Sequence, residues 1–283
     1  MTTFANAVRK YEHACEGRDI PAETVMAYLV ELSQKERYDL YLHYEEEMPK
    51  DLELEFAKGM NRILNYEPME HVLGYSWFYG YKFIVNEDVL IPRPETEELC
   101  ANVLSRIDEH FPGKDIDVCD VGTGSGAIAV VLACEEPHVH MSATDISEEA
   151  LVTARKNAEN NNASITFTAG DMLKPLIEQG VKLDVLVSNP PYIPQEEVME
   201  KSVVDFEPHV ALFGGSDGLK FYREIFNDCK KVLKDKAFMA FEMGWDQRER
   251  MSALVEETLP ECRYEILKDM NGKDRMLFVY FNC

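Results

Sequence analysis

The sequence predicts an α/β fold, a mostly parallel sheet closed by an antiparallel C-terminal hairpin, with a small helical N-terminal domain in front of it. Three observations predict it. From about residue 94 onward, apolar β-rich runs alternate with stretches of helical period, as expected of βαβ units whose strands are buried on both faces. Residues 1–73 show helical period and no strand-like alternation. The last two strand-like runs follow one another without a helix between them, which places a hairpin at the sheet edge. The chain accordingly divides into a helical domain (1–73), a hairpin linker (74–93) and the α/β domain (94–283).

In the first part, Ala5, Val8 and Tyr11 begin an apolar stripe, and Val25, Met26, Leu29, Val30 and Leu32 resume it after Pro21. Ser33 followed by Glu36 reads as a capping box opening a helix through Leu40 and Tyr44. Leu52, Leu54, Phe56, Met60, Ile63 and Leu64 form a further helix that closes before Pro68. Tyr75–Val85, with Gly80 near its middle, reads as a short hairpin. Then come a helix over Glu95–Ile107, a strand over Ile116–Val121 ending in glycines, and a helix over Ala127–Cys134. Val139–Thr144 and Ile165–Thr168 read as strands flanking a helix over Glu148–Asn160. Leu183–Val187 and Ala237–Phe241 are further strands, and Arg263–Lys268 and Arg275–Phe281 form the terminal pair around Asp269, Asn271 and Gly272.

The bulk properties narrow the class of protein. In a chain of 283 residues, 46% hydrophobic residues support a large core and exclude wholesale disorder. A net charge of −23 repels phosphate backbones, so counterion release cannot drive binding, and no direct nucleic-acid partner is expected. Cys15, Cys100, Cys119, Cys134, Cys229, Cys262 and Cys283 are scattered, without zinc spacing, so neither a metal nor disulfides are expected. The first ten residues lack the apolar core of a signal peptide, and no run of about 18 apolar residues occurs. The expectation is an acidic cytoplasmic protein without a membrane partner.

Asp120-Val121-Gly122-Thr123-Gly124-Ser125-Gly126 follows one strand and opens the helix at Ala127. A glycine-rich turn alone is an ordinary strand-to-helix connection. Here the spacing is Gly-x-Gly-x-Gly, not the Gly-x-Gly-x-x-Gly of dinucleotide sites, so no pyrophosphate need be bound. The loop suits the methionine end of S-adenosyl-L-methionine, whose ammonium favours a carboxylate such as Asp120. Asp145 closes the next strand about 20 residues on, where a carboxylate can accept both ribose hydroxyl hydrogens. Gly170-Asp171-Met172 ends the third strand; Asp171 can take the adenine amino group and Met172 can pack on the ring.

Val185–Ser188 then runs into Asn189-Pro190-Pro191-Tyr192. Two prolines cannot continue a central strand, so the chain turns at the carboxyl edge of the sheet. Asn189, which precedes a proline, is biased to extended geometry. Its side-chain oxygen and the Pro190 carbonyl can both accept hydrogens from one NH2 group, with Tyr192 as a flat face beside it. An amide nitrogen is a poor nucleophile, and two acceptors would aim its lone pair at a sulfonium methyl and stabilise the charge that develops. A plain Pro-Pro turn is the bland alternative.

The sequence resembles the peptide chain release factor N(5)-glutamine methyltransferases. The match extends to Pro68-Met69-Glu70-His71-Val72-Leu73-Gly74 and to Leu90-Ile91-Pro92-Arg93-Pro94-Glu95-Thr96-Glu97. It continues in Asp205-Phe206-Glu207-Pro208, in Glu242-Met243-Gly244-Trp245 and in the turn from Asp269 to Arg275, covering roughly residues 66–281. The resemblance implies a Rossmann-like class I methyltransferase sheet with S-adenosyl-L-methionine as donor. It implies cofactor contacts from Gly122 to Gly126, Asp145, Met172 and Asn189, and contacts from Asn189, Pro190, Pro191 and Tyr192 to a glutamine. It further implies the Gly-Gly-Gln motif of class 1 release factors as substrate, with the helical domain as a docking element. Relatives often carry a larger aromatic residue at the position of Met172. Arg93, Glu95, Glu207 and Pro208 read either as fold-stabilising groups or as groups that shape the substrate site. The tetrapeptide is shared with methyltransferases acting on exocyclic nitrogens of adenine or guanine, so such a base is the alternative acceptor. A binding module that has lost catalysis is the alternative from another class.

Overall fold

A computed structural model describes residues 2–197, 199 and 201–283. The chain forms two compact units, Met1–Tyr75 with Met199–Phe206, and Ser76–Val198 with Glu207–Cys283.

The first unit is helical: α1 (Phe4–Cys15), α2 (Glu23–Ser33), α3 (Arg37–Leu42), α4 (Lys50–Ile63) and α5 (Met69–Leu73). Thr3 caps α1 by accepting the Asn6 N–H at 3.2 Å. Val8 and Tyr11 from α1, Val25 and Leu29 from α2, and Phe56 and Met60 from α4 share one core. The expected capping box is not formed. Ser33 is the last residue of α2 and its hydroxyl donates back to the Val30 carbonyl. Gln34 follows in the left-handed region at φ 53°, and α3 starts only after Glu36. Ser33 is still within α2, three residues short of the Glu36 that precedes α3, so its hydroxyl is not placed at the start of the next helix.

The second unit opens with the hairpin β1 (Tyr75–Phe78) and β2 (Tyr81–Ile84). Tyr79 and Gly80 both have positive φ, the geometry of a tight two-residue hairpin turn. Phe78 and Phe83 are buried, with ring centroids 5.9 Å apart, and belong to the core under the main sheet. The hairpin is therefore an integral part of this unit, not a connector.

The remaining elements are α6 (Pro94–His110), β3 (Ile116–Val121), α7 (Ala127–Glu135), β4 (Val139–Asp145), α8 (Glu148–Asn160), β5 (Ile165–Ala169), α9 (Lys174–Glu178) and β6 (Leu183–Ser188). They continue with α10 (Lys201–Phe206, in the first unit), α11 (Lys220–Val232), β7 (Leu233–Glu242), α12 (Arg248–Thr258), β8 (Arg263–Lys268) and β9 (Asp274–Phe281). The sheet order is β5-β4-β3-β6-β7-β9-β8. β3 to β7 pair in parallel, and β9 runs antiparallel between β7 and β8.

Strand pleat explains the two cores. Val118, Val185, Phe238 and Phe278 face α6 and α7 on one side, while Cys119, Leu186, Met239 and Leu277 face the other side with α11 and α12. α7 is buried nearly all round, in keeping with its sequence Ala-Ile-Ala-Val-Val-Leu. α11 is strongly amphipathic and buries Tyr222, Ile225, Phe226, Cys229 and Val232 along one stripe. The strand order reverses at β3, which lies between β4 and β6. A crevice opens at the carboxyl ends of strands at such a switch point.

Candidate active site

The glycine loop leaves β3 at that switch point. Gly122 and Thr123 both donate their N–H groups to the Thr144 carbonyl, at 2.8 and 2.9 Å, which ties the loop to the end of β4. Gly124 N–H donates to Asp145 Oδ2 at 2.8 Å, and Ser147 N–H donates to Asp145 Oδ1 at 2.9 Å. Gly122 and Gly124 have φ of 75° and 54°, and a Cβ on either would stand in open space. Backbone conformation therefore favours glycine at both, and the space in front of them is open. Gly126 has a second reason. Its Cβ would come within 3.2 Å of the Ala154 Cβ, where the loop packs on α8.

A cavity of about 290 Å³ lies over this loop. Its floor is Gly122–Ser125, with Asp145 and Ile146 along one side and Gly170, Asp171 and Met172 beyond them. The opposite wall carries Asn189 and Pro191 from the tetrapeptide, together with Arg93 and Thr96. Leu90 and Val210 supply apolar surface. Ile146 is 56% exposed and offers its apolar side chain to whatever enters the cavity.

The sequence-selected residues are distributed unevenly about this cavity. Gly122, Thr123, Gly124, Ser125, Asp145, Asp171, Met172, Asn189 and Pro191 line it. Gly126 lies just behind, as the N-cap of α7. Asp120 is not on the wall. It is fully buried beneath the loop, where its Oδ2 accepts the Thr123 hydroxyl at 2.6 Å, so its carboxylate does not face a ligand directly. Burial pushes its pKa up to about 7, the Thr123 bond opposing and the nearby Asp145 charge adding to the rise. Asp171 is held by an ion pair with Lys174, and Met172 sits in the left-handed region at φ 47°. Pro190 is buried off the cavity, and Tyr192 turns its hydroxyl inward to donate to Glu242 Oε1 at 3.2 Å. The flat face expected beside the acceptor is therefore not part of this wall.

Arg93 and Thr96 on the wall are each held from behind by a buried glutamate, pairs that sequence reading leaves without a defined role. Arg93 and Glu207 form an ion pair across 114 positions at 2.5 Å, with the Glu207 side chain buried. Thr96, in the first turn of α6, donates its hydroxyl to Glu242 Oε2 at 2.6 Å and accepts Asn189 Nδ2–H at 3.2 Å. Thr96 and Glu242 are 146 positions apart, in separate sequence blocks, and no local spacing signals their meeting.

Two family descriptions match the chain, "PrmC N-terminal domain" over residues 6–74 and "Methyltransferase small domain" over residues 100–207. The release factor glutamine methyltransferase of Bacillus anthracis is 43% identical, with 93% of each chain covered. That of Bacillus subtilis (strain 168) is 45% identical over 86% of this chain and 85% of its own. The chain belongs to the release factor glutamine methyltransferase family.

As a member of that family it is an S-adenosyl-L-methionine-dependent methyltransferase. A methyltransferase from Pyrococcus furiosus shares its fold, with a TM-score of 0.54 at 19% identity, covering 80% of this chain and 98% of the other. The cavity fits such a donor. Open space above Gly122 and Gly124 admits a ligand against the backbone, and Asp145, held by two backbone N–H groups, retains lone pairs for hydroxyl donors. Ile146 and Met172 offer apolar surface to a flat ring. No helix among the described residues is long and apolar enough to cross a membrane.

Proposed function

We propose that this methyltransferase transfers the methyl group of S-adenosyl-L-methionine to the side-chain amide nitrogen of the glutamine in the Gly-Gly-Gln motif of class 1 peptide chain release factors. The observation that carries this reading is the position of Asn189. It shares one cavity with the glycine loop and Asp145, and its NH2 group is engaged by Thr96. The relatives named above are release factor glutamine methyltransferases, and their identity over nearly the whole chain supports the same acceptor.

The donor, when bound, supplies a methyl group activated by a positively charged sulfur. Gly122 to Gly126 would hold its amino-acid end by backbone approach, Asp145 would accept from its ribose hydroxyls, and Asp171, Ile146 and Met172 would surround its base. Asn189 Oδ1 accepts one hydrogen of the acceptor amide, and the carbonyl of Pro190, a residue buried beside the cavity wall, would accept the other once the amide has entered. That pins the NH2 group and turns its lone pair, otherwise delocalised into the carbonyl, toward the methyl carbon. That nitrogen would take the methyl carbon from the bound donor, the carbon–sulfur electron pair staying on sulfur. Both acceptors stabilise the charge gained by nitrogen, and the surplus proton leaves to water afterwards, so no strong general base is required. Arg93, held by Glu207, and Val210 bound the mouth through which a side chain enters.

The test is transfer of labelled methyl groups to purified release factor, total RNA and DNA in parallel, with a release factor lacking the motif glutamine as control. Label in the release factor that vanishes with the glutamine is expected. Label in nucleic acid with none in protein would replace this acceptor by an exocyclic base nitrogen, a reading the net charge of −23 disfavours.

A further inference from the structure

Asn189 can present either its oxygen or its NH2 group to the cavity, and only the oxygen can accept a hydrogen from an acceptor amide. The surroundings of Asn189 decide between the two. Glu242 ends β7 beside the end of β6, where Phe241 pairs with Ser188, one residue before Asn189. Its side chain is 2% exposed. Oε2 accepts from Thr96 at 2.6 Å and Oε1 accepts from Tyr192 at 3.2 Å, so one carboxylate holds both ends of the tetrapeptide. Tyr222, buried in α11, donates its hydroxyl to the Glu242 backbone carbonyl at 2.7 Å and fixes the strand end itself.

We infer that Glu242, acting through Thr96, is a positioning device that locks the Asn189 carboxamide with its oxygen toward the acceptor amide. The argument is one of hydrogen direction. A carboxylate only accepts, so the single Thr96 hydroxyl hydrogen is committed to Glu242. The hydroxyl then has only lone pairs to offer Asn189, and only an NH2 group can meet them, as it does at 3.2 Å. Turning the carboxamide over would bring two acceptors face to face beside a Thr96 that is only 5% exposed. Burial raises the Glu242 carboxyl above its ordinary value, and the hydrogen bonds from Thr96 and Tyr192 together with the nearby Arg275 charge oppose that rise and favour the charged form. This inference rests on the proposed acceptor chemistry for its kinetic consequence, but the orientation itself is independent of which NH2 group is methylated.

Thr96→Val removes the hydroxyl at nearly constant shape, and Thr96→Ser restores it. With release factor as acceptor, Thr96→Val is expected to lower kcat by roughly 10–100-fold, the scale of one lost hydrogen bond to a charge-developing group. Donor Kd should stay within about 3-fold, and Thr96→Ser should recover most of kcat. A Thr96→Val kcat within about 2-fold of wild type overturns the inference, as does an equal loss in donor affinity that serine does not rescue, which marks a merely structural role. A crystal structure at about 1 Å, where amide hydrogens become visible, provides a second reading that needs no substrate. Asn189 Nδ2 directed at Thr96 in wild type and released in Thr96→Val is expected; Nδ2 directed into the cavity in wild type refutes the proposal. If the wild-type enzyme methylates no release factor, the acceptor assignment fails, and the crystal structure still judges the orientation.

Discussion

Replacing Asp120 by asparagine removes a charge from beneath the glycine loop while keeping an oxygen to accept the Thr123 hydroxyl. In the unfolded chain this carboxyl titrates near 3.8, whereas burial holds it near about 7 in the native protein. Between those values the native state binds the proton that the unfolded state has released, so this group's contribution to stability falls as pH rises. The penalty is absent below 3.8 and complete above about 7. Integrating the two titrations gives a cost of roughly 2 kcal/mol at pH 5 and roughly 4 kcal/mol at pH 8. A carboxamide does not titrate, so the variant lacks this slope whatever constant offset its NH2 group introduces. Urea unfolding of wild type and Asp120→Asn across pH 5–8 reads the difference, because groups that do not interact with Asp120 titrate alike in both. The stability of the variant relative to wild type is expected to rise by roughly 2–3 kcal/mol across that range. A difference flat to within about 0.5 kcal/mol would mean that Asp120 is ionised in the native state throughout, and that the loop rests on a paired charge.

Asn189→Ala should retain donor binding within about 10-fold by calorimetry yet lose most of its transfer rate, because the acceptor amide is no longer oriented; unchanged turnover contradicts the assigned role. Asp145→Ala removes a charged acceptor for the ribose hydroxyls, worth about 1.5–3 kcal/mol, so donor Kd should rise by roughly 10–150-fold, and wild-type affinity in a titration would exclude Asp145 from the contact. Phe56→Ala, in the core of the helical unit between Tyr11 and Tyr28, should cost about 3–5 kcal/mol, read as a lower melting temperature.

Much of this protein is legible in the sequence, and the reason is local. Strand-to-helix alternation, buried-strand runs such as Leu183–Ser188 and the Asp-x-Gly-x-Gly-x-Gly spacing are short-range signals, each read within a window of about ten residues. They place the parallel sheet, the antiparallel edge of β8 and β9, and a ligand loop at the end of β3. The stripe Tyr222, Ile225, Phe226 and Cys229 of α11 is equally local and can be read at helical spacing. The boundary at Ser33 resists such reading, because whether a hydroxyl caps the next helix or bonds back into its own depends on the turn between them.

The order of the strands and the inner face of the site belong to the tertiary structure. Nothing in the composition of β3 states that it lies between β4 and β6, yet that reversal opens the crevice in which the loop, Asp145 and Asn189 meet. The spacing Asp-x-Gly names Asp120, but only packing shows it buried under Thr123 and raised in pKa, since desolvation is a property of the whole surround. The sequence names Asn189 as an acceptor by its prolines. Which end of its carboxamide faces the substrate is settled by Thr96 and Glu242, brought together across 146 positions by the adjacency of α6 and the end of β7. A hydrogen bond of that kind has a direction as well as a length, and direction is fixed only when every partner in the chain of donors is in place.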